Sequence, residues 1–283
     1  MTHCELIQAG EIQVVVGDAS RAGVGGAQYC GVWSLTSKER RFNAFGDSYA
    51  GLIPGEIKGR NPSLQPATRE AVALVRAADD EYPVDVRASY VLRAPYYIDH
   101  EILFRDKRDV RRHGSDFRQV SWASYISSPE DPRIHYLSRG EWVRYVPPEH
   151  GVGASVAPAY LAAEELETWP DVGDERPFDW SWAPDPFDRP FYYGRIGEMV
   201  VIFVFANLRR LRFCASPSDG GPGILPGKTC PAWNFKWVVP GDRYEVARPY
   251  RFRMTLVYKK YVSDEDVLEE VDKVNEARGY RNP

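Results

Sequence analysis

Apolar and polar residues alternate in short segments along most of this chain, and this pattern predicts β-strands. In the segment Arg251–Tyr258, for example, Arg251 and Arg253 fall on one face and Phe252 and Met254 on the other. A sheet with one buried and one solvated face has this period of two. We therefore predict an all-β protein built as a large antiparallel β-sandwich. The segments predicted as strands are Ile12–Val16, Ala71–Val75, Asp85–Leu92, Tyr96–Arg105, Gln119–Ser127, Trp142–Val146, Met199–Ala206, Trp233–Val239 and Arg251–Tyr258.

One helix is clearly predicted near the C-terminus, over about residues 263–278. The sequence Ser263–Asp266 is a capping box, and its acidic residues also suit the positive end of the helix dipole. Gly279 is the expected stop signal. The apolar stripe of the helix consists of Val267, Leu268, Val271 and Val274. We expect this helix to pack on the sheet as a lid, in a single domain that spans residues 1–283, because no linker divides the chain.

The composition is that of a globular protein, with 43% hydrophobic and 27% charged residues among 283. A net charge of -4 gives no electrostatic reason to bind a nucleic-acid backbone. The longest apolar run, Met199–Ala206, is far shorter than the roughly 18 residues of a membrane span, and it predicts a strand buried on both faces. No signal sequence follows Met1, so we expect a cytoplasmic protein with no membrane partner. The sequence is compatible with a homo-oligomer.

Motifs for cofactors are absent from the sequence. The four cysteines show no C-x-x-C spacing, and no H-E-x-x-H, Walker-type or G-x-S-x-G motif occurs, so we expect neither a cofactor nor a metal site of defined spacing. The loop Glu167–Arg189 is dense in Trp, Pro and Asp, and it either packs over the body or lines a cleft. Its Asp side chains and backbone oxygens could bind calcium. A shorter helix is predicted over Ala159–Glu167, and the Gly/Pro loop Ser216–Gly227 is expected at the same rim.

The central segment Tyr96–Arg105 carries the first candidate for catalysis, His100. In a strand, His100 shares a face with apolar residues, whereas Asp99 and Glu101 lie on the opposite face. If the apolar face is the core, His100 is a buried imidazole with hydrogen-bond partners. If that face is the concave side of a curved sheet, His100 is a candidate acid or base. The acidic pair is either solvated surface or a pair of catalytic carboxylates or calcium ligands.

Two further histidines and one glutamate complete the candidate proton carriers. We expect His135 on a strand and His150 in a loop, from which both could reach a cleft. Glu198 stands just before the buried strand that begins at Met199. Histidine titrates near neutral pH, and chemistry at a glycosidic bond or hemiacetal needs proton carriers on opposite sides of the sugar. Each histidine could equally be a packing residue.

Aromatic rings can hold sugars by stacking on their apolar faces. Trp122 and Tyr125 are predicted on opposite faces of their strand, as are Trp237 and Lys236, so only one of each pair can touch a ligand. Residues 192–195 are expected at the rim of the buried strand. With 8 Trp, 17 Tyr and 12 Phe, most rings must belong to the core. The candidate binding residues are Trp122, Tyr125, Tyr192, Tyr193, Arg195 and Trp237.

Four segments carry a resemblance to a known group: Phe45–Leu52 (FGDSYAGL), Ala94–His100 (APYYIDH), Trp122–Pro129 (WASYISSP) and Pro190–Gly194 (PFYYG). In sequence and order they resemble uncharacterised bacterial proteins with galactose-mutarotase-like β-sandwiches, which are associated with polysaccharide breakdown. The resemblance runs loosely over most of the chain. It implies a supersandwich fold and a site in which a histidine base and acid work with a carboxylate on a concave sheet. His100, His135 and Glu198 could fill those roles.

From the sequence we expect a carbohydrate-active enzyme, resembling a glycoside hydrolase or lyase, that transfers protons between histidine and carboxylate groups in an aromatic-lined cleft. Two alternatives stay open. One is a non-catalytic carbohydrate-binding or assembly protein that uses the same rings, and the other is a sugar mutarotase or epimerase. The expected partner is a carbohydrate in every case.

Overall fold

The computed structural model describes residues 3–19, 29–46, 49–111, 117–161, 181–218 and 230–280. Within these ranges the chain forms antiparallel strands followed by one C-terminal α-helix, which confirms the predicted fold class. The elements are β1 (Cys4–Ala9), β2 (Ile12–Gly17), β3 (Gly31–Ser37), β4 (Ile53–Pro54), β5 (Ser63–Thr68), β6 (Ala71–Arg76), β7 (Val84–Arg93), β8 (Tyr97–Asp106), β9 (Phe117–Ala123), β10 (Ile134–Ser138), β11 (Glu141–Tyr145), β12 (Ser155–Val156), β13 (Phe191–Ile196), β14 (Met199–Phe205), β15 (Leu211–Ser216), β16 (Ala232–Pro240), β17 (Pro249–Lys260) and α1 (Asp264–Arg278).

One layer of the sandwich is a nine-stranded sheet in the order β11-β10-β13-β14-β17-β8-β7-β6-β5. Its strands pair antiparallel, and the long hairpin of β7 and β8 lies beside β17 near the middle. Ile102 and Phe104 of β8 and Phe252 and Met254 of β17 are buried, whereas the residues between them are more exposed. The alternation in the sequence therefore marks the core face of this sheet correctly.

The facing layer consists of a five-stranded sheet in the order β12-β15-β16-β9-β4 and a three-stranded sheet in the order β1-β2-β3. Reciprocal backbone hydrogen bonds of 2.9 and 2.8 Å between Val32 and Gly51 join β3 to the chain just before β4. These two sheets thus continue one another across the layer that faces the nine strands.

The strand predicted over Gln119–Ser127 is shorter in the structure, because β9 stops before Ser124. The Ser124 backbone N–H donates to the Asn234 side chain at 2.9 Å instead of to a strand partner. Tyr125 then pairs with Ala232 through an isolated bridge. This interruption leaves Asn234 and Tyr125 lining the same pocket on the five-stranded sheet.

The two layers meet in a core of aromatic and aliphatic side chains. The ring of Trp122 from β9 lies with its centroid 4.5 Å from that of Phe252 in the nine-stranded sheet, and it stacks on Phe235 of β16 at 4.9 Å. Burial of such large rings is the main favourable contribution to folding, and ring pairs add to it through their geometry. Trp122 therefore anchors the five-stranded sheet against the other layer.

The C-terminal helix packs on the outer face of the nine-stranded sheet, as predicted. Ser263 caps it by accepting a hydrogen bond from the Asp266 N–H at 3.2 Å, and Gly279 ends it with a φ of 61°. All seven residues of β14 are buried, which confirms the strand predicted to be covered on both faces. No helix within the described ranges is long and apolar enough to cross a membrane. The contact between α1 and the sheet is formed by Val267, Val271, Val274, Val200, Ile202, Val204 and Val257.

A buried ion cluster ties the two layers together at one end of the sandwich. Arg118 of β9 donates from Nε to Asp106 of β8 at 2.8 Å and forms a second ion pair with Glu56, which follows β4. Tyr244 donates to Asp106 at 2.8 Å, and Tyr82 donates to Glu56. All three charged side chains are buried, so each charge depends on its partners to offset the loss of water.

We predict that Arg118→Met strongly destabilises the protein. The substitution keeps most of the side-chain volume but leaves two buried carboxylates without a cation, which should lower the free energy of unfolding by about 3–5 kcal/mol. Arg248→Met is the matched control, because Arg248 pairs with Glu245 at the surface and should change stability by less than about 1 kcal/mol. Urea unfolding followed by circular dichroism measures both values. Equal midpoints for the two variants would contradict a stabilising role of the cluster.

Candidate functional site

A pocket of about 330 Å³ lies on the outer face of the five-stranded sheet, the face turned away from the core. Strands β4, β9 and β16 form its floor, and the chain after β11 and at the end of β15 contributes to its wall. The lining residues are Ile53, Gly55, Lys58, Ser121, Trp122, Ala123, Tyr125, His150, Ser216, Ser218, Ala232, Asn234 and Lys236. The described part of this lining contains a histidine, a tyrosine, two lysines, an amide and hydroxyl groups.

Strand alternation places the polar residues of the floor. In β16 the rings of Trp233 and Phe235 enter the core, so Asn234 and Lys236 point to the opposite face. Lys236 is paired in register with Ser121 of β9, which also lines the pocket. Polar groups that would be costly in the core thus gather on one surface.

Hydrogen bonds around Ser216 determine the tautomer of His150. The Ser216 hydroxyl lies 2.5 Å from the Ser218 carbonyl oxygen, and this bond uses the single proton of the hydroxyl. His150 Nδ1 lies 3.0 Å from the same Ser216 oxygen, so Nδ1–H must be the donor. In the neutral imidazole the lone pair is therefore on Nε2. His150 is exposed, as a proton carrier at a pocket requires.

Tyr125, which lines the pocket, packs against two further tyrosines. Tyr125 lies between Tyr29, with ring centroids 5.9 Å apart and nearly parallel planes, and Tyr49, with centroids 4.8 Å apart. The ammonium group of Lys58 sits 4.3 Å from the centre of the Tyr29 ring. Burial lowers the pKa of this ammonium group. The stack offers an aromatic surface with a cation beside it.

Asn234 is held in a fixed orientation. Its Oδ1 accepts the hydrogen bond from the Ser124 N–H, so Nδ2 is the donor that the side chain can offer to a ligand. The Ser124 hydroxyl in turn accepts from the Leu52 N–H at 3.0 Å. This chain of bonds connects the end of β9 with both neighbouring strands and keeps the polar floor rigid.

The structure does not bring the three candidate histidines together: His100 and His135 are on separate strands of the nine-stranded sheet, and His150 is at the pocket on the other layer. His150 lines the outer-face pocket, as expected for a loop histidine near a cleft. His100 points into the core, where Nδ1 donates to the Ser89 carbonyl at 3.0 Å and Nε2 accepts from the Trp122 indole N–H at 2.8 Å. With 1% of its surface exposed and both nitrogens bonded, His100 occupies the first of its two predicted environments, the core. His100 therefore does not share a cleft with His135 or His150, contrary to the expectation from the sequence.

His135 lies on β10, a strand as predicted, but it is buried beneath the N-terminus of α1. Its Nδ1 lies 2.9 Å from the Tyr193 hydroxyl, which donates to Asp264 at the helix start. Its Nε2 lies 3.7 Å from Asp131. The placement of His135 and Tyr193 at a cleft is therefore corrected, because both side chains connect the helix to the sheet.

The other residues predicted to bind sugar or carry protons either lie outside the outer-face pocket or direct their rings into the core. Tyr192 is 0% exposed and Trp237 is 8% exposed, because both rings pack in the core, and the Trp122 ring does the same. Arg195, near the end of β13, and Glu198, at the turn before β14, are exposed on the other layer. The Arg195 guanidinium lies 4.1 Å from the centre of the Tyr261 ring. Of the predicted binding rings, Tyr125 is the one that lines the pocket with its side chain on the outer face.

Sequence reasoning missed Lys58, Ser121 and Asn234 as site residues. A signal existed for Asn234, since it interrupts the aromatic alternation of β16 in the same way as Lys236. Ser121 alternates with Trp122 in β9 by the same rule. For Lys58 no such signal exists, because it follows a two-residue strand and reaches the pocket through the tertiary fold.

Two other depressions on the described surface have a different lining. A groove of about 720 Å³ beside β1 and β2 contains neither a histidine nor an aromatic ring among its described lining residues. A depression of about 360 Å³ on the nine-stranded sheet is crossed by Asp99, which forms ion pairs with Arg278 at 2.8 Å and Arg93 at 3.5 Å. The outer-face pocket alone among these three combines an exposed imidazole with a ring stack.

No group of three or more His, Cys, Asp or Glu side chains in the described ranges is placed to hold a metal ion. The loop Glu167–Arg189, for which calcium binding was considered, lies outside the described residues as far as residue 180. The predicted helix Ala159–Glu167 lies outside them from residue 162, and the loop Ser216–Gly227 from residue 219.

Comparison with known proteins shows the fold. Scans against protein-family models and curated protein sequences find no match. Among solved structures, the chain is similar to an Escherichia coli K12 protein provisionally named an aldose 1-epimerase, with a TM-score of 0.50, 10% identity and coverage of 91% of this chain and 99% of that one. The fold is therefore a galactose-mutarotase-like β-sandwich, as the resemblance in sequence implied.

Two further structures are similar at lower scores. An aldose epimerase homologue from C. elegans gives a TM-score of 0.48 at 8% identity and covers 92% of this chain and 100% of that one. The heparan sulfate lyase of Pedobacter heparinus gives 0.45 at 8% identity and covers 89% of this chain and 34% of the lyase.

We predict that stability falls as the pH decreases from about 6.5 to about 4. Burial lowers the pKa of His100 and of His135 to about 4, so over this range the unfolded chain binds protons that the folded protein does not. The contribution of each histidine is complete above the unfolded pKa of 6.5 and amounts to roughly 3 kcal/mol lost on acidification. Urea unfolding between pH 4 and 7.5 measures the dependence.

A substitution separates this effect from general acid sensitivity. His135→Gln should make the plot of unfolding free energy against pH shallower between pH 4 and 6.5, whatever its offset at pH 7.5. An unchanged slope in the His135 variant would contradict the assignment of this titration.

Proposed function

We propose that this protein acts on a carbohydrate bound in the outer-face pocket, with His150 as a proton carrier, and that its reaction is the interconversion of aldose anomers. The observation that carries the proposal is the position of His150 in the lining of this pocket, where its Nδ1 lies 3.0 Å from Ser216 Oγ and Tyr125 lines the same cavity. An imidazole is a base of the kind that the first step of the reaction requires.

The shape and lining of the pocket support a sugar ligand. Its volume of about 330 Å³ suits a small molecule such as a monosaccharide. The ring of Tyr125 can pack against the apolar face of a pyranose. Ser121 and Asn234 supply hydroxyl and amide groups that can bond the hydroxyls of the sugar. The pocket thus offers an aromatic ring to the apolar face of a sugar and polar groups to its hydroxyls.

The reaction class is supported by the chemistry of His150 and by the fold. Anomer interconversion begins when a base removes the proton of the anomeric hydroxyl and the electrons of that O–H bond form the aldehyde C=O. The bond between C1 and the ring oxygen breaks, and solvent water gives the ring oxygen a proton. Rotation about the C1–C2 bond and ring closure then give the other anomer. His150 Nε2 can take the first proton. The similar Escherichia coli structure is provisionally named an aldose 1-epimerase, and the match covers 99% of its chain.

Glycoside hydrolysis, which the sequence suggested first, uses a pair of carboxylates about the scissile bond. The sequence candidate Glu198 lies on the β13–β14 turn of the other layer and does not line the pocket with His150. Because Glu198 and His150 lie on different layers, they cannot act together on one glycosidic bond. This favours anomer interconversion over hydrolysis by Glu198 and His150. A non-catalytic binding protein would use the same rings and is distinguished by the absence of turnover.

We predict that the protein accelerates anomer exchange of at least one aldose and that His150→Asn lowers kcat/KM about 100-fold or more. Asn keeps a polar side chain of similar reach but cannot carry a proton, and general acid–base catalysis contributes about 10²–10⁴-fold. The measurement is NMR exchange between α and β anomeric protons, on galactose, glucose and their uronic acids. Aryl glycosides are included so that bond cleavage would be detected.

Glu198→Gln is the matched control, because it removes the competing sequence candidate from an exposed turn and should leave kcat/KM within about twofold. Full activity in the His150 variant would show that another group carries the proton. Binding of these sugars without any acceleration of exchange or cleavage would identify a binding protein. Absence of binding by every sugar in the panel would overturn the assignment of the pocket.

A further inference from the structure

The ammonium group of Lys58 is an unusual feature of the outer-face pocket. The side chain is half-buried, and its Nζ rests over the Tyr29 ring at 4.3 Å. Lys58 forms no ion pair with a carboxylate in the part of the chain that the structure describes. A cation that is partly removed from water without a carboxylate partner is destabilised, and this cost disappears when an anion arrives.

The acid nearest to Lys58 along the chain is already engaged. Glu56, two residues before it, is buried and directs its carboxylate inward to Arg118 and to the Tyr82 hydroxyl. Glu56 and Lys58 therefore point to opposite sides of the segment that follows β4. The cation faces the pocket and the carboxylate faces the core.

The charge of the surrounding lining has the same sign. Lys236 joins Lys58 in the lining, and the described lining residues include no Asp or Glu. Ser121 links the two lysines structurally, since its carbonyl accepts the Gly55 N–H at 2.7 Å and its backbone pairs in register with Lys236. Among the described lining residues, Lys58 is therefore a cation with no carboxylate beside it in the pocket.

We propose that the pocket takes an acidic sugar, whose carboxylate, sulfate or phosphate group pairs with Lys58 while its ring lies against Tyr125. This inference rests on the proposed carbohydrate function and names the class of sugar. An anionic group next to Lys58 replaces the water that burial removed and gains a charge-assisted hydrogen bond. A neutral sugar of the same shape keeps the ring contacts and gains nothing at the ammonium group.

Calorimetric titration of the full chain tests this proposal with matched monosaccharides. Galacturonate and glucuronate are compared with galactose and glucose, and the 6-sulfate and 6-phosphate esters show which anion is preferred. We expect at least one acidic sugar to bind roughly tenfold more tightly than its neutral parent. This preference should shrink as the salt concentration rises, because salt screens the ion pair.

Three variants assign the effect to one side chain. Lys58→Met keeps the length of the side chain and should abolish the preference for the acidic sugar, while affinity for the neutral sugar stays within about threefold. Lys58→Arg retains the charge and should retain most of the preference. Lys107→Met removes a lysine that pairs with Asp85 at 2.7 Å on the other layer and should change neither affinity.

The outcomes separate this inference from the function on which it rests. If neutral sugars bind wild-type protein as tightly as acidic ones, or if Lys58→Met keeps the preference, the inference is wrong and the carbohydrate function stands. If neither neutral nor acidic sugars bind, the carbohydrate function fails and the inference fails with it. Thermal denaturation curves of all variants verify that each protein is folded when titrated.

Discussion

Successive side chains of a β-strand point to opposite faces of its sheet, and this constraint connects the core of the protein to its candidate site. In β16, Phe235 enters the core and Lys236 faces the pocket. In β9, Trp122 enters the core and Ser121 faces the pocket, and the two strands pair in register through these residues. A slip of one residue would bury the polar groups and expose the rings. The register that satisfies the core therefore also sets the floor of the pocket.

The histidines show how position in the layers, and not residue type, decides what an imidazole can do. His100 has both nitrogens bonded between the sheets, and burial keeps it neutral at physiological pH. His135 is neutral for the same reason and contributes to the contact between α1 and the sheet. His150 is exposed at the pocket, and its Nδ1 is held by Ser216 at 3.0 Å.

The sequence predicts the sandwich and the helix from local periodic patterns, and it predicts the doubly buried strand Met199–Ala206 from a continuous apolar run. It also predicts that Trp122 and Tyr125 differ in exposure. It does not predict whether the apolar face of β8 packs against a second sheet or lines an open cleft, because both environments are compatible with the same alternation. For that reason the environment of His100 stays undecided in the sequence. Lys58 is invisible to such reasoning, since its place at the pocket comes from the packing of a loop against distant strands.

The interior ion cluster and the surface pocket share the short segment after β4. Glu56 is drawn inward by Arg118, and Gly55 is bonded to the backbone of β9, so the segment is fastened at two points before it reaches Lys58. Because the Glu56 carboxylate pairs with Arg118 inside the sandwich, it does not neutralise the Lys58 ammonium group at the pocket. The buried ion pair of Glu56 and Arg118 thus leaves the positive charge of Lys58 facing the pocket. The positive character of the candidate site therefore follows from the ion pairing in the core.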